Sequence, residues 1–101
     1  MAKTTKIDIQ AVDNELMIIA STAAMSSMLW HGKSGYGAPV SYSFNPGHIL
    51  PPGQYDLTVI LINWGGPGTC KVVVTAGTTT TLAGSGTATG VVYTKTIPMQ
   101  I

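Results

Sequence analysis

The chain contains no arginine, and its five cations are lysines scattered along it: Lys3, Lys6, Lys33, Lys71 and Lys95. Nucleic acid is thereby excluded as an expected partner, because backbone binding needs clustered cations and phosphate recognition favours the guanidinium fork. Charge of either sign is scarce at 9% of residues, and the four acids, Asp8, Asp13, Glu15 and Asp56, leave a formal charge of +1. So weak a field steers no charged substrate from a distance, and an uncharged partner fits better. Cysteine occurs once, as Cys70, so no intramolecular disulfide exists and the fold stands on its core, as suits a reducing compartment. The longest uncharged apolar-leaning stretch, residues 16 to 30, carries Ser21, Thr22, Ser26 and Ser27 and is too short and polar to span a bilayer as a helix. No export signal is legible either, since Asp8, Asp13 and Glu15 stand where one needs unbroken apolar residues. Nor does any asparagine begin an Asn-x-Ser/Thr triplet. The expected address is cytoplasmic, with release by a signal-independent route left open.

What is present is a globular composition: 101 residues, 45% hydrophobic, enough for one domain spanning 1–101 that buries about two thirds of its unfolded surface. Ile7, Ile9 and Ala11 alternate with Lys6, Asp8 and Gln10, which predicts a half-buried strand over residues 4–12. Asp13-Asn14 then reads as a two-residue turn, and Leu16, Met17, Ile18 and Ile19 as a strand buried on both faces. The rival is a helix over about 14–31, capped by Asp13 and ended by Gly32. Glycine and proline punctuate residues 32 to 53, with a short strand at Val40, Tyr42 and Phe44. From Gln54 to Asn63, Tyr55, Leu57, Val59 and Leu61 share one face and Asp56, Thr58, Ile60 and Ile62 the other, predicting a central strand that ends deeply buried. Gly65-Gly66-Pro67-Gly68 makes a turn into a strand over Thr69 to Ala76. Thr78 to Ala83, a turn at Gly84-Ser85-Gly86, and Thr87 to Ile97 supply two more strands, with Gly90 marking a bulge and Pro98 an edge or an end. The fold expected is all-β, a small antiparallel β-sandwich of seven to eight strands, the alternative being α+β with one helix at 14–31.

Residues 50 to 83 add a resemblance. Leu50-Pro51-Pro52-Gly53-Gln54-Tyr55-Asp56-Leu57-Thr58-Val59, followed by Lys71-Val72-Val73-Val74-Thr75-Ala76-Gly77-Thr78-Thr79-Thr80, resembles the second half of carboxypeptidase regulatory-like, or prealbumin-like, β-sandwiches. The shared pattern is a Pro-Gly turn, a tyrosine entering a central strand, and a valine-rich strand ended by Ala-Gly and threonines. It covers about a third of the chain and implies a non-catalytic module for binding, spacing or assembly. Residues 14–31 depart from it by being rich in alanine and methionine.

Chemical signatures are sparse. Gly32-Lys33-Ser34 lacks the upstream glycine of a phosphate loop, and Gly84, Gly86 and Gly90 miss the dinucleotide spacing by one residue, between strands with no helix to follow. His31 and His48 have no paired spacing for a metal, and nothing in the sequence brings Cys70, His48 and Asp56 together as a nucleophilic set. No cofactor, metal or enzymatic activity is expected. The aromatics are more telling: Trp30, Tyr36, Tyr42 and Trp64 lie in or beside glycine- and proline-rich connections, where a sandwich displays its loops. An indole with few charges near it suits stacking on an uncharged sugar, unless both tryptophans merely plug the core. The expected function is lectin-like recognition of a neutral carbohydrate, or of a protein surface, by Trp30, His31, Tyr36, Asn45, His48, Asn63 and Trp64. Two alternatives stand beside it. One is a homo-oligomeric assembly protein, because the threonine-rich strands from Thr69 to Ile101 have few charges to guard free edges. The other is a membrane-acting protein that inserts residues 16 to 30.

Overall fold

A computed structural model describes residues 1–34 and 41–101 and shows seven strands with a single turn of 3₁₀ helix. They are β1 (Lys6–Ser21), β2 (Ser26–Ser34), β3 (Tyr42–Phe44), β4 (Gln54–Asn63), β5 (Gly68–Ala76), β6 (Thr78–Gly86) and β7 (Gly90–Gln100), with the 3₁₀ turn at Pro46–His48. Every strand pairing is antiparallel. The long β1 belongs to both layers of a sandwich. Its first half pairs with β3 and β5, and β6 continues that sheet outward. Its second half pairs with β2 and β4, and β7 extends the other sheet.

The place where β1 changes sheets corrects the sequence expectation. Asp13-Asn14 is no turn: the strand runs on through Asn14, which takes φ 83, a left-handed conformation that asparagine tolerates better than most side chains. The hairpin turn lies later, at residues 22–25, where Thr22 Oγ1 accepts from the backbone N–H groups of Ala24 and Met25. Residues 14–31 form no helix. Strand pairing on both sides of β1 satisfies the backbone groups of its second half, β2 pairs with it along one edge, and the small alanines that mimicked helical spacing fall at a strand end and in the turn.

Register decides which residues reach the core. A bulge between Ile9 and Ala11 shifts the alternation by one residue, so Ile7, Ile9 and then Val12 point inward in place of Ala11. Leu16, Ile18 and Ala20 continue that inner face, opposite Leu57, Val59 and Leu61 of β4 and Val72, Val74 and Leu82 of the other sheet. Met17, Ile19, Ile60 and Ile62 are only half-buried, because they form the outer face of the β1–β4 pair, so neither segment is buried on both faces. β4 has the bounds expected of it and is an interior strand between β1 and β7. The expected Gly84-Ser85-Gly86 turn belongs to β6, and residues 87–89 make the connection. The short strand expected at Val40 to Phe44 is seen at Tyr42–Phe44, Val40 lying outside the described residues. Pro98 sits in β7, an edge strand, as expected of proline.

Candidate functional site

The outer faces of the two sheets differ. On the β3–β1–β5–β6 sheet the outward positions are Lys6, Asp8, Ser43, Lys71, Val73, Thr79, Thr81 and Ser85, a predominantly polar surface. On the β2–β1–β4–β7 sheet, cross-strand register sets Lys33, Glu15, Ile62 and Val91 in one row, His31, Met17, Ile60 and Thr94 in the next, and Met28, Ile19, Thr58 and Thr96 in the third. One carboxylate, Glu15, therefore stands at the head of an apolar band.

Glu15 is only 7% exposed. Burial of a carboxylate is costly unless its oxygens are hydrogen-bonded, and here both are. His31 Nε2 donates to Oε2 at 2.5 Å, and the indole Nε1 of Trp64 donates to Oε1 at 2.9 Å. The hydrogen bond from His31 is the leading reason that the Glu15 carboxyl lies below its ordinary value, followed by that from Trp64, with Lys33 helping and burial opposing. An ionised carboxylate accepts only, so His31 carries a proton on Nε2. Its Nδ1 then has no partner among the described residues, and the side chain is 44% exposed.

Asn14 fixes the third element of the cluster. Its left-handed backbone turns the side chain toward the loop after β4, where Oδ1 accepts from the Trp64 backbone N–H at 3.1 Å and Nδ2 approaches the Gly65 and Pro67 carbonyls at 3.4 and 3.5 Å. Trp64 is thus held from two directions while 61% of it stays exposed. An indole held this way presents itself without first having to be ordered.

The seven residues expected at the site are dispersed. His31 and Trp64 converge on Glu15, whereas Trp30 is partly buried against the core with its ring over Gly32. Asn63 is fully buried and serves the backbone, its Nδ2 donating to the carbonyls of Gly66 at 2.6 Å and Ala88 at 3.1 Å. Asn45 caps the 3₁₀ turn by accepting from the Gly47 N–H at 2.8 Å, and His48 is exposed on that turn. Those two lie beyond the Gln54 end of β4, about 30 Å by strand rise from its Asn63 end. Tyr36 lies outside the described residues. Glu15 and Asn14 were the residues missed, although a charged side chain heading the run Leu16 to Ile19 was a signal in itself. Cys70 is 4% exposed, and burial raises its thiol above the ordinary value. Among the described residues no group of three His, Cys, Asp or Glu side chains could hold a metal ion, and no helix is long and apolar enough to cross a membrane.

The cluster predicts an acid response. The folded carboxyl of Glu15 titrates below its ordinary 4.5, so its stabilisation is complete above that pH and is lost as pH falls through the folded value. Melting temperatures recorded from pH 7 down to pH 3 should fall less steeply for Glu15→Gln than for the wild type. Parallel curves for the two proteins would show that Glu15 does not carry the acid sensitivity.

Comparison of the chain with protein-family models, with curated protein sequences and with solved structures gives no match.

Proposed function

We propose that the protein is a non-enzymatic recognition module that binds a neutral carbohydrate at the corner formed by Trp64, His31 and Glu15. The observation that carries this is the exposed indole of Trp64 pinned through its N–H to a buried carboxylate. A sugar ring offers an apolar C–H face that stacks on an indole, and hydroxyls that need hydrogen-bond partners. His31 Nδ1 supplies such a partner, and the lone pairs that Glu15 keeps beyond its two hydrogen bonds supply acceptors. Ile62, Met17 and Ile60, beside them in register, extend the apolar ground without adding charge. The lack of a strong field around the site suits an uncharged ligand. The non-catalytic role implied by the prealbumin-like pattern of residues 50 to 83 agrees with this reading, and the single buried thiol suits work in a reducing compartment such as the cytoplasm.

A glycan array probed with the wild-type protein and with Trp64→Ala tests the proposal. The wild type should bind a set of neutral glycans and the variant none. Most of the indole already faces solvent, so little packing is lost, but the variant also takes one donor from the buried Glu15 carboxylate, so it should lose about 1 to 2 kcal/mol of stability, which a melting curve reads directly. Binding that survives in Trp64→Ala, or a wild type that binds no glycan, would overturn the assignment.

A further inference from the structure

Among the described residues the sandwich has four strand edges, and three of them are guarded. β3 is three residues long. β2 carries a bulge beside Ile18 of its partner strand, together with Lys33. β7 begins at Gly90 with φ 109, carries a bulge opposite Leu61 and Ile62, contains Pro98, and places Lys95 in register with the buried Val59, so that a charge occupies an inward-facing position. Short length, bulges, proline and inward-pointing lysine are the devices by which sheets avoid adding a strand.

β6 has none of them. Its nine residues, Thr78 to Gly86, carry no charge and no proline, and pair with β5 in nine consecutive steps with no shift of register. The side chains of Thr78 to Thr81 are exposed. Among the described residues no strand pairs with the other side of β6, which therefore offers a row of backbone donors and acceptors that another strand can satisfy.

We infer that β6 is a homodimerisation edge, which pairs antiparallel with β6 of a second copy of this chain about a two-fold axis. An identical uncharged strand fits for three reasons. Two-fold pairing matches each strand's donors to the other's acceptors over equal lengths, because residue i meets j and j meets i. Centred on Leu82, it sets Thr79 opposite Ser85 and Thr81 opposite Ala83, with no like charges apposed and hydroxyls free to pair across the strands. The pairing is also self-limiting: the joined sheet reads β3-β1-β5-β6-β6-β5-β1-β3 and ends at both sides on the three-residue β3, so the product is a dimer and not a fibre. An interface of one strand pair is small, which sets the expected affinity in the micromolar range.

The test is sedimentation equilibrium on the full chain across micromolar concentrations. The wild type should approach twice its 10.5 kDa chain mass. Thr79→Lys/Thr81→Lys, at exposed positions on the outer face, should weaken dimerisation by at least about tenfold through repulsion across the axis, with an unchanged circular dichroism spectrum. Thr94→Lys/Thr96→Lys on β7, equally exposed, should still dimerise. A wild type that stays monomeric would overturn the inference. So would a dimer that survives the β6 substitutions, or one that the β7 substitutions abolish.

Discussion

Asn63→Ala is expected to destabilise the protein by about 3 kcal/mol, a loss out of proportion to the few atoms removed. Asn63 ends β4 fully buried, and its amide reaches two connections at once. Nδ2 donates to the Gly66 carbonyl within the loop after β4 and to the Ala88 carbonyl in the β6–β7 connection, while Oδ1 accepts from the Gly65 N–H at 3.3 Å. Alanine leaves those backbone groups unsatisfied in a space now too large for it, and both terms act in the same direction. Asn63→Asp sharpens the test, because it keeps the volume but aims an acceptor at two carbonyl oxygens. It should be at least as damaging as alanine at pH 7 and should recover in acid, when a protonated carboxyl can donate again. Chemical denaturation at the two pH values measures both effects. The same loop carries Trp64, so Asn63→Ala should also weaken any ligand held by the indole, although Asn63 touches none. Asn63 then acts as a positioning residue, which separates it from Trp64, whose loss should remove binding at a smaller cost in stability.

This residue also shows where sequence reasoning reaches and where it stops. The bounds and alternation of β4 were legible, because strict alternation over ten residues leaves one face to bury and the other to expose, although Ile60 and Ile62 made its outer face look more buried than it is. That Asn63 would turn into the core, and not toward a ligand, depends on carbonyls 3 and 25 residues away, and local pattern carries no such information. The same applies to the cluster at Glu15. Trp64 and His31 were identifiable as an aromatic and an imidazole near glycine-rich connections, but their meeting on one carboxylate joins positions 16 and 49 residues apart. Asn14 misled for a more specific reason. Asp-Asn between two apolar runs is turn chemistry, and the left-handed φ that it suggests is indeed present, yet the strand uses it to pass from one sheet to the other. The bulge between Ile9 and Ala11 left no mark in the sequence, and it alone moves the inward position from Ala11 to Val12.

Glycine is read two ways in such a sequence, and Gly84 tests the difference. The sequence places it in a hairpin turn, but it lies within β6, where an added Cβ atom would overlap Tyr93 Cγ on β7. The absent side chain is what lets the tyrosine ring lie against the facing strand. Gly84→Ala should therefore cost about 3 kcal/mol, and roughly 15 °C in melting temperature, because the atom it meets is the root of the ring and cannot swing away without moving β7. Were Gly84 a turn residue, the same substitution would act through backbone angle alone, and Gly84 has no positive φ to lose. Gly32 supplies the contrast, since a Cβ there would meet mainly the far edge of the Trp30 ring, which can tilt, so Gly32→Ala should be the milder of the two. Tyr93→Ala in the Gly84→Ala background completes the argument. With the ring gone the added methyl has room, so the double variant should be more stable than the sum of the single losses allows, and a double-mutant cycle in denaturant reads that coupling. Additive losses would mean that Gly84 is required for something other than the approach of Tyr93.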